Sequence, residues 1–226
     1  MRRVGGEKNA LMFKAKDPKK DQSYFLFATT RNQLDYLRFP LGNYLKTEIR
    51  EIAEQLSLPV KNKPDSQDIC FVTKDSYRSL IEKLKPESFK SGKIINLIGE
   101  VIGSHSGIVN YTIGQRKGVG IGGKQKPLYV VDIDKKNNLI TLGEKKDLQK
   151  NIIKIKNINW LETNLSNNLK CSARIRSNQI EVPGKLQFNG SNGIFIFDEK
   201  ISNTSPGQAC VFYLGEQVIG GGWIIR

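Results

Sequence analysis

The spacing of apolar residues along the chain changes once, near residue 75. In the first third, apolar side chains recur at helical intervals, as Tyr24 and Phe27 do, and they do so again over residues 49–56. This pattern predicts two helices in the first third of the chain. A further short helix is predicted over residues 76–84, just after the change.

Beyond that helix, apolar and alternating runs are separated by glycine, asparagine and proline, which is typical of a β-rich protein. Ten runs predict strands, at residues 93–97, 100–103, 128–132, 139–142, 152–158, 171–177, 185–188, 193–197, 209–213 and 217–225. A polar stretch over residues 143–150 divides them into two β modules, and the last five or six strands can close into a small barrel. The predicted fold class is therefore α+β with more than one domain.

Composition indicates a globular chain that needs neither a metal nor a disulfide framework. With 226 residues and 38% hydrophobic content, the chain can form one to three domains with a real core. Its three cysteines are widely spaced, and His105 is the one histidine, which argues against a zinc site or a histidine-based metal site. No apolar run approaches the roughly 20 residues that span a bilayer, so we expect a cytoplasmic protein without a membrane partner.

Net charge is the strongest compositional signal. Lys and Arg total 36 against 22 Asp and Glu, giving a formal charge of +14. This excess favours a polyanionic partner such as nucleic acid, the alternative being that the lysines only cover a solvated surface. The glycine run at residues 118–123 formally fits a dinucleotide-binding pattern, but a predicted strand and not a helix follows it, so we reject that interpretation.

Cys70 is the candidate for chemistry. It lies where a polar loop meets a short predicted strand over residues 69–72, with Lys61, Lys63 and Lys74 nearby in the sequence. Positive charge favours the thiolate form, which is the nucleophilic and sulfur-carrying form of cysteine. The alternative is a half-buried strand cysteine that behaves as a small hydrophobic residue. Spacing alone leaves both interpretations open.

Five strings carry a resemblance to a known family. They are Lys-Lys-Asp-Gln-Ser-Tyr-Phe-Leu at residues 19–26, Phe-Pro-Leu-Gly at 39–42, Asp-Ser-Gln-Asp-Ile-Cys-Phe at 65–71, Tyr-Thr-Ile-Gly-Gln-Arg-Lys-Gly at 111–118 and Pro-Gly-Gln at 206–208. Their order resembles that of the tRNA-specific 2-thiouridylases of the MnmA type. The resemblance runs from about residue 10 to the carboxyl terminus and matches the carboxyl-terminal three-fifths of such an enzyme.

The resemblance implies a reaction. In that family, ATP adenylates the C2 oxygen of the wobble uridine, position 34, in tRNAs for Lys, Glu and Gln, and a persulfide sulfur supplied by a donor protein then displaces AMP. Cys70 lies at the position of the persulfide cysteine. The positions that match tRNA-contacting residues of the family are Lys20, Asp21, Gln22, Arg176, Ser177 and Gln208.

The resemblance also implies three domains. Residues 1–75 correspond to the end of a Rossmann-like nucleotide-binding domain, residues 76–142 to a central β-rich domain, and residues 150–226 to an antiparallel β-barrel that binds tRNA. The family's ATP-binding loop, of the form Ser-Gly-Gly-x-Asp-Ser, and its other catalytic cysteine have no counterpart in the 226 residues. Cys171 and Cys210 lie in strand patterns and are predicted to be core residues.

Three interpretations follow from that departure. The first is the carboxyl-terminal part of a thiouridylase that is inactive alone, whose partners are tRNA, a sulfur-relay protein and the missing amino-terminal segment as a separate chain. A non-enzymatic tRNA-binding fragment would instead make Cys70 dispensable. A degenerate gene product without activity would expose surface meant for the missing segment.

Overall fold

The computed structural model describes residues 1–6, 8–59, 81, 83–121, 127–202 and 204–226. They fall into two compact units, Met1–Pro64 together with Lys150–Arg226, and Asp65–Gln149, each with a hydrophobic core of its own. Cys70, the strand predicted around it and most of the helix predicted over residues 76–84 lie outside the described residues.

Six antiparallel strands of the first unit close into a barrel. They are β7 (Lys150–Trp160), β8 (Asn168–Arg174), β9 (Val182–Asn189), β10 (Asn192–Ile201), β11 (Ala209–Leu214) and β12 (Gln217–Ile225). Pairing of β7 with both β10 and β12 closes the barrel, so each of its six strands is paired on both sides. Alternate side chains fill the interior, where Leu186, Phe195, Phe212 and Ile219 are fully buried.

The amino-terminal segment packs on the outside of this barrel. Its strands β1 (Arg2–Val4) and β2 (Leu11–Phe13) extend the sheet beyond β12, and its helices are α1 (Ser23–Leu26), α2 (Arg31–Tyr36) and α3 (Lys46–Gln55). A second apolar cluster lies between the segment and the outer face of the barrel; it includes Met12, Tyr24, Phe27, Leu34, Val211, Tyr213 and Val218. The barrel is therefore covered on one side by the segment that precedes it in sequence.

Helix α3 differs from its neighbours because it buries no residue in the described structure. Its apolar side chains follow helical spacing, yet Ile52 remains 39% exposed and Leu56, which follows its last residue, 65% exposed. An amphipathic helix normally buries its apolar face against another element. The apolar face of α3 is thus open to a partner.

The second unit contains a four-stranded sheet. Its strands β3 (Gly92–Ile95), β4 (Val101–His105), β5 (Tyr129–Asp134) and β6 (Leu139–Gly143) lie in the order β4-β3-β6-β5, with β3 and β6 parallel and the other pairs antiparallel. Short 3-10 helices at Pro18–Lys20, Pro86–Phe89, Ile108–Asn110 and Lys145–Leu148 complete the described elements. The predicted α+β multidomain class is confirmed, with a closed barrel and a separate mixed sheet.

His105 has a structural role in this second sheet. The side chain is buried, its Nε2 lies 3.1 Å from the carbonyl oxygen of Asn138, and its Nδ1 accepts the N–H of Gly107 at 3.1 Å. An imidazole with Nε2 protonated satisfies both contacts. Both ring nitrogens of His105 therefore serve contacts within this unit.

Candidate nucleic-acid interface

The tyrosine at position 24 brings three distant parts of the sequence together. Its hydroxyl donates to the carbonyl oxygens of Ile175 and Ala209, at 3.0 and 3.1 Å. Burial raises the pKa of Tyr24, so the hydroxyl keeps the proton that it donates. Gln22 lies two residues before Tyr24 in the sequence. Arg176 directly follows Ile175, and Gln208 directly precedes Ala209. The three segments predicted to contact tRNA therefore meet at one end of the β8–β11 pair.

The pairing of β8 with β11 places one arginine of this site on the outer face of the barrel. Arg174, the last residue of β8, pairs with Val211, which belongs to the apolar cluster outside the barrel. Successive strand side chains alternate between faces, and the neighbouring Ala173 and Ile175 are buried in the barrel core. Arg176 follows in the bend after β8, directly after the residue whose carbonyl accepts the Tyr24 hydroxyl.

The predicted site residues differ in exposure. Lys20, Gln22 and Ser177 are exposed, whereas Arg176 and Gln208 are half-buried. Asp21 is the exception, because only 2% of its side chain is exposed. Five of the six predicted residues therefore have at least part of their surface open to a ligand.

Hydrogen bonds hold the Asp21 carboxylate inside the fold. Oδ1 accepts the N–H groups of Ala15 at 2.9 Å and Ser23 at 3.3 Å, and Oδ2 accepts the Ser23 hydroxyl at 2.6 Å. The guanidinium of Arg174 lies 3.6 Å from the same oxygen. Asp21 therefore joins the amino-terminal segment to strand β8, and its carboxylate does not face solvent.

Further ion pairs extend this buried cluster. Arg174 and Lys14 both contact the Glu181 carboxylate, at 2.8 and 2.7 Å, and the Ser172 hydroxyl donates to it at 3.0 Å. The two cations also lie over the ring of Tyr213, 5.2 and 4.9 Å from its centroid. The amino terminus of Met1 also lies 3.7 Å from Asp21 Oδ1, so three cations face two carboxylates and each charge has a partner of opposite sign, which limits the cost of burying them. The cluster fixes the backbone on both sides of the site.

The turn before β11 has unused acceptor capacity. Within the part of the chain that the structure describes, neither the side-chain oxygen of Gln208 nor the hydroxyl of Ser205 has a hydrogen-bond partner, although both atoms are buried. Buried polar atoms usually have partners. The surface that Gln208 exposes therefore does not include this oxygen.

Two of the three cysteines are core residues. Cys171 lies in β8 and Cys210 in β11, and burial raises the pKa of the Cys171 thiol to about 12 and that of Cys210 well above its usual value. Both thiols are protonated at neutral pH and are poor nucleophiles. Their positions agree with the predicted packing role. Cys70 lies outside the described residues, so its role stays a prediction.

These pKa shifts predict how the thiols react. At pH 8 with iodoacetamide, Cys171 and Cys210 should be alkylated at least about tenfold more slowly than a solvated cysteine, because little thiolate forms at either position. Peptide mass spectrometry of quenched time points measures each rate. A rapid phase of alkylation is expected from Cys70, so Cys70→Ser should remove it. Rapid labelling of Cys210 in the folded chain would contradict the prediction.

Three family models match the chain in sequence order. They are the tRNA methyl transferase HUP domain over residues 1–74, the tRNA methyl transferase PRC-barrel domain over residues 79–144 and the aminomethyltransferase beta-barrel domain over residues 150–224.

Similar whole proteins include the tRNA-specific 2-thiouridylases MnmA of Rickettsia felis, Rickettsia canadensis and Neorickettsia sennetsu, at 47%, 46% and 45% identity. Each alignment covers 100% of this chain but only 62%, 62% and 61% of the relative. The chain thus spans about three-fifths of the length of these relatives.

Proposed function

Because the chain is homologous over its whole length to the tRNA-specific 2-thiouridylases and belongs to their family, we propose that it takes part in the 2-thiolation of tRNA and forms the tRNA-holding portion of that activity. The observation that supports this role best is the meeting of three predicted tRNA-contacting segments around Tyr24. The net charge of +14 adds attraction for a polyanion.

The proposed target is the wobble uridine, position 34, of tRNAs for Lys, Glu and Gln. ATP is the co-substrate, and it converts the C2 oxygen of the uridine into a good leaving group by adenylation. The outer sulfur of a Cys70 persulfide, loaded by a sulfur-relay protein, then forms the new C–S bond as the C–O bond to AMP breaks. A second thiol, supplied by the proposed ATP-binding segment, attacks the Cys70 sulfur, so that the S–S bond breaks, a Cys70 disulfide forms and the outer sulfur stays on C2. This chemistry belongs in the cytoplasm, where thiols are kept reduced.

Within this proposal the site residues have different roles in binding tRNA. Lys20 and Arg176 supply positive charge to phosphates, and Gln22, Ser177 and Gln208 supply hydrogen bonds. Asp21 contributes to tRNA binding indirectly, because its buried carboxylate holds in place the segment that carries Lys20 and Gln22.

A second partner fits the surface beside this site. A groove of about 410 Å³ is lined in part by Phe39, Leu41 and Tyr44, together with Lys20 and Gln22. Ile49 of α3 also lines it, so the groove continues into the exposed apolar face of that helix. We propose that an ATP-binding segment, supplied as a separate chain or as part of a longer one, covers this surface.

The alternatives make different predictions. A non-enzymatic tRNA-binding fragment shares the interface but has no need of Cys70. A degenerate product without activity needs neither the tRNA interface nor Cys70, and its exposed apolar residues would favour aggregation.

Binding to unmodified tRNA tests the proposed interface. Fluorescence anisotropy should show affinity that falls with salt, at a slope of about −0.7 to −0.9 for each phosphate contact in a log-log plot. Lys20→Glu and Arg176→Glu should each weaken binding about tenfold near 0.1 M salt and make the slope shallower. Lys185→Glu is the matched control, since Lys185 is an exposed lysine of β9 elsewhere on the barrel.

A salt-independent affinity, or an equal loss for Lys185→Glu, would show that the positive charge is only a solvated surface. In that case the proposed interface fails, whatever the activity of a longer protein.

A further inference from the structure

A row of three residues crosses the outer face of the barrel beside the proposed tRNA interface. Ala209, whose carbonyl accepts the Tyr24 hydroxyl, pairs with Trp223, and Trp223 pairs with Lys156. Two steps between neighbouring strands of about 4.8 Å put Lys156 about 10 Å from Ala209. The row therefore extends from the proposed tRNA interface to a tryptophan and a lysine that no motif singled out.

The indole of Trp223 is held in place but not covered. It is 40% exposed, and its inner side meets the buried ring of Phe27 edge to face, with 5.5 Å between ring centroids. Gly221 makes this contact possible, because a Cβ at that position would lie 2.6 Å from a ring carbon of Phe27. A large aromatic ring fixed by packing, with part of its surface in solvent, loses little conformational entropy when a second ring stacks on it.

Cations and open backbone surround the indole. It lines a groove of about 420 Å³ with Lys156, Pro206, Gly207 and Arg226. Gly207 has a positive φ of +86°, and a Cβ there would have no atom within 4 Å, so the groove is open at this point. Gln208, a predicted tRNA contact, follows directly in the sequence. The groove is thus continuous with the proposed interface and carries the charge that RNA requires.

We propose that Trp223 is a stacking site for an unpaired base of bound RNA, and that Lys156 contacts a neighbouring phosphate. This inference rests on the proposed function, since it adds a subsite to the same tRNA-binding surface. Aromatic side chains bind single-stranded nucleic acid by stacking and accept any base, while flanking cations follow the phosphate backbone. The lysine, the arginine and the adjoining glutamine favour RNA over a protein partner as the occupant.

Tryptophan fluorescence can detect this contact directly. The chain has two tryptophans, so Trp160→Phe leaves Trp223 as the only indole reporter. Titration of that variant with an unmodified tRNA transcript should quench its emission with the same midpoint as the anisotropy signal. Trp223→Ala should weaken tRNA binding about tenfold, and Trp223→Phe, which keeps an aromatic ring, only about twofold.

Lys156→Gln should reduce affinity several-fold and make the salt dependence shallower, whereas Lys185→Gln, at another exposed position of the barrel, should not. The fluorescence titration remains decisive if Trp223→Ala disturbs packing on Phe27.

The failures are distinguishable. If tRNA binds and Lys20→Glu weakens it, but the Trp223 emission and the Trp223→Ala affinity are unchanged, the stacking site is wrong and the proposed function stands. If the unaltered chain shows no salt-dependent tRNA binding, both proposals are overturned.

Discussion

Purified alone, the 226-residue chain should leave tRNA without 2-thiouridine in the presence of ATP and a sulfur donor. The reason is chemical: displacement at C2 requires prior adenylation, and the 226 residues contain no Ser-Gly-Gly-x-Asp-Ser segment. Adding the amino-terminal two-fifths of a homologous thiouridylase should produce 2-thiouridine, measured by mass spectrometry of digested tRNA. Cys70→Ser should then reduce the product to background.

Matched variants separate chemistry from assembly. Cys171→Ala should keep the restored activity, because that thiol is protonated and half-buried. Leu56→Asp should prevent restoration by placing a charge beside the exposed apolar face of α3, while tRNA affinity stays unchanged. If two separate chains do not associate, joining them in one polypeptide provides the same test.

Two outcomes would contradict this expectation. Thiouridine formed by the chain alone would refute the need for an added ATP-binding segment. Full activity of Cys70→Ser in the joined protein would remove the proposed persulfide role and favour a fragment that only binds tRNA.

The barrel strands were predictable because their signals are local. A largely apolar run that begins shortly after Gly215 predicts β12 over residues 217–225, and the structure places it at Gln217–Ile225. Strand β10 extends beyond its predicted end at residue 197 because the pairing shifts register between Ile196 and Ile201, across a polar stretch that lacks alternation.

The amino-terminal segment shows where local signals end. Strands β1 and β2 were not predicted, since each has three residues and β2 is held by pairing with β12, some 200 positions later in the sequence. The helical pattern around Tyr24 correctly indicated a helix but not its end. Thr30 begins α2 with a capping box, in which its hydroxyl accepts the Gln33 N–H and the Gln33 side chain accepts the Thr30 N–H.

The site was predictable only in part for a similar reason. The resemblance predicted six tRNA-contacting positions, and besides Asp21 they are Lys20, Gln22, Arg176, Ser177 and Gln208, whose residues have some exposed surface. The residues that bring them together do not stand out in the sequence. Tyr24 lies within a motif, but its partners are carbonyl oxygens 151 and 185 positions away, and backbone acceptors have no sequence signature.

The burial of Asp21 predicts a large loss of stability on its replacement. Asp21→Ala should lower the free energy of unfolding by about 3–5 kcal/mol, because it removes the carboxylate beside Arg174 and leaves two N–H groups and a hydroxyl without their acceptor. Urea unfolding followed by tryptophan fluorescence measures this, since Trp160 and Trp223 both lie in the barrel unit.

A double-mutant cycle tests whether the loss comes from the ion pair. Asp21→Asn combined with Arg174→Met should cost less than the sum of the two single changes, because the second replacement removes the guanidinium that the first leaves with only one of its two carboxylates. Glu199→Gln, at an exposed position of β10, is the control and should change stability by less than about 0.5 kcal/mol. Folded Asp21→Asn should keep the salt dependence of tRNA binding, since the buried carboxylate touches no phosphate in the proposed complex. Strict additivity of the two changes would mean that Asp21 does not act through Arg174. A shallower salt slope of tRNA binding for Asp21→Asn would mean that Asp21 acts at the RNA surface.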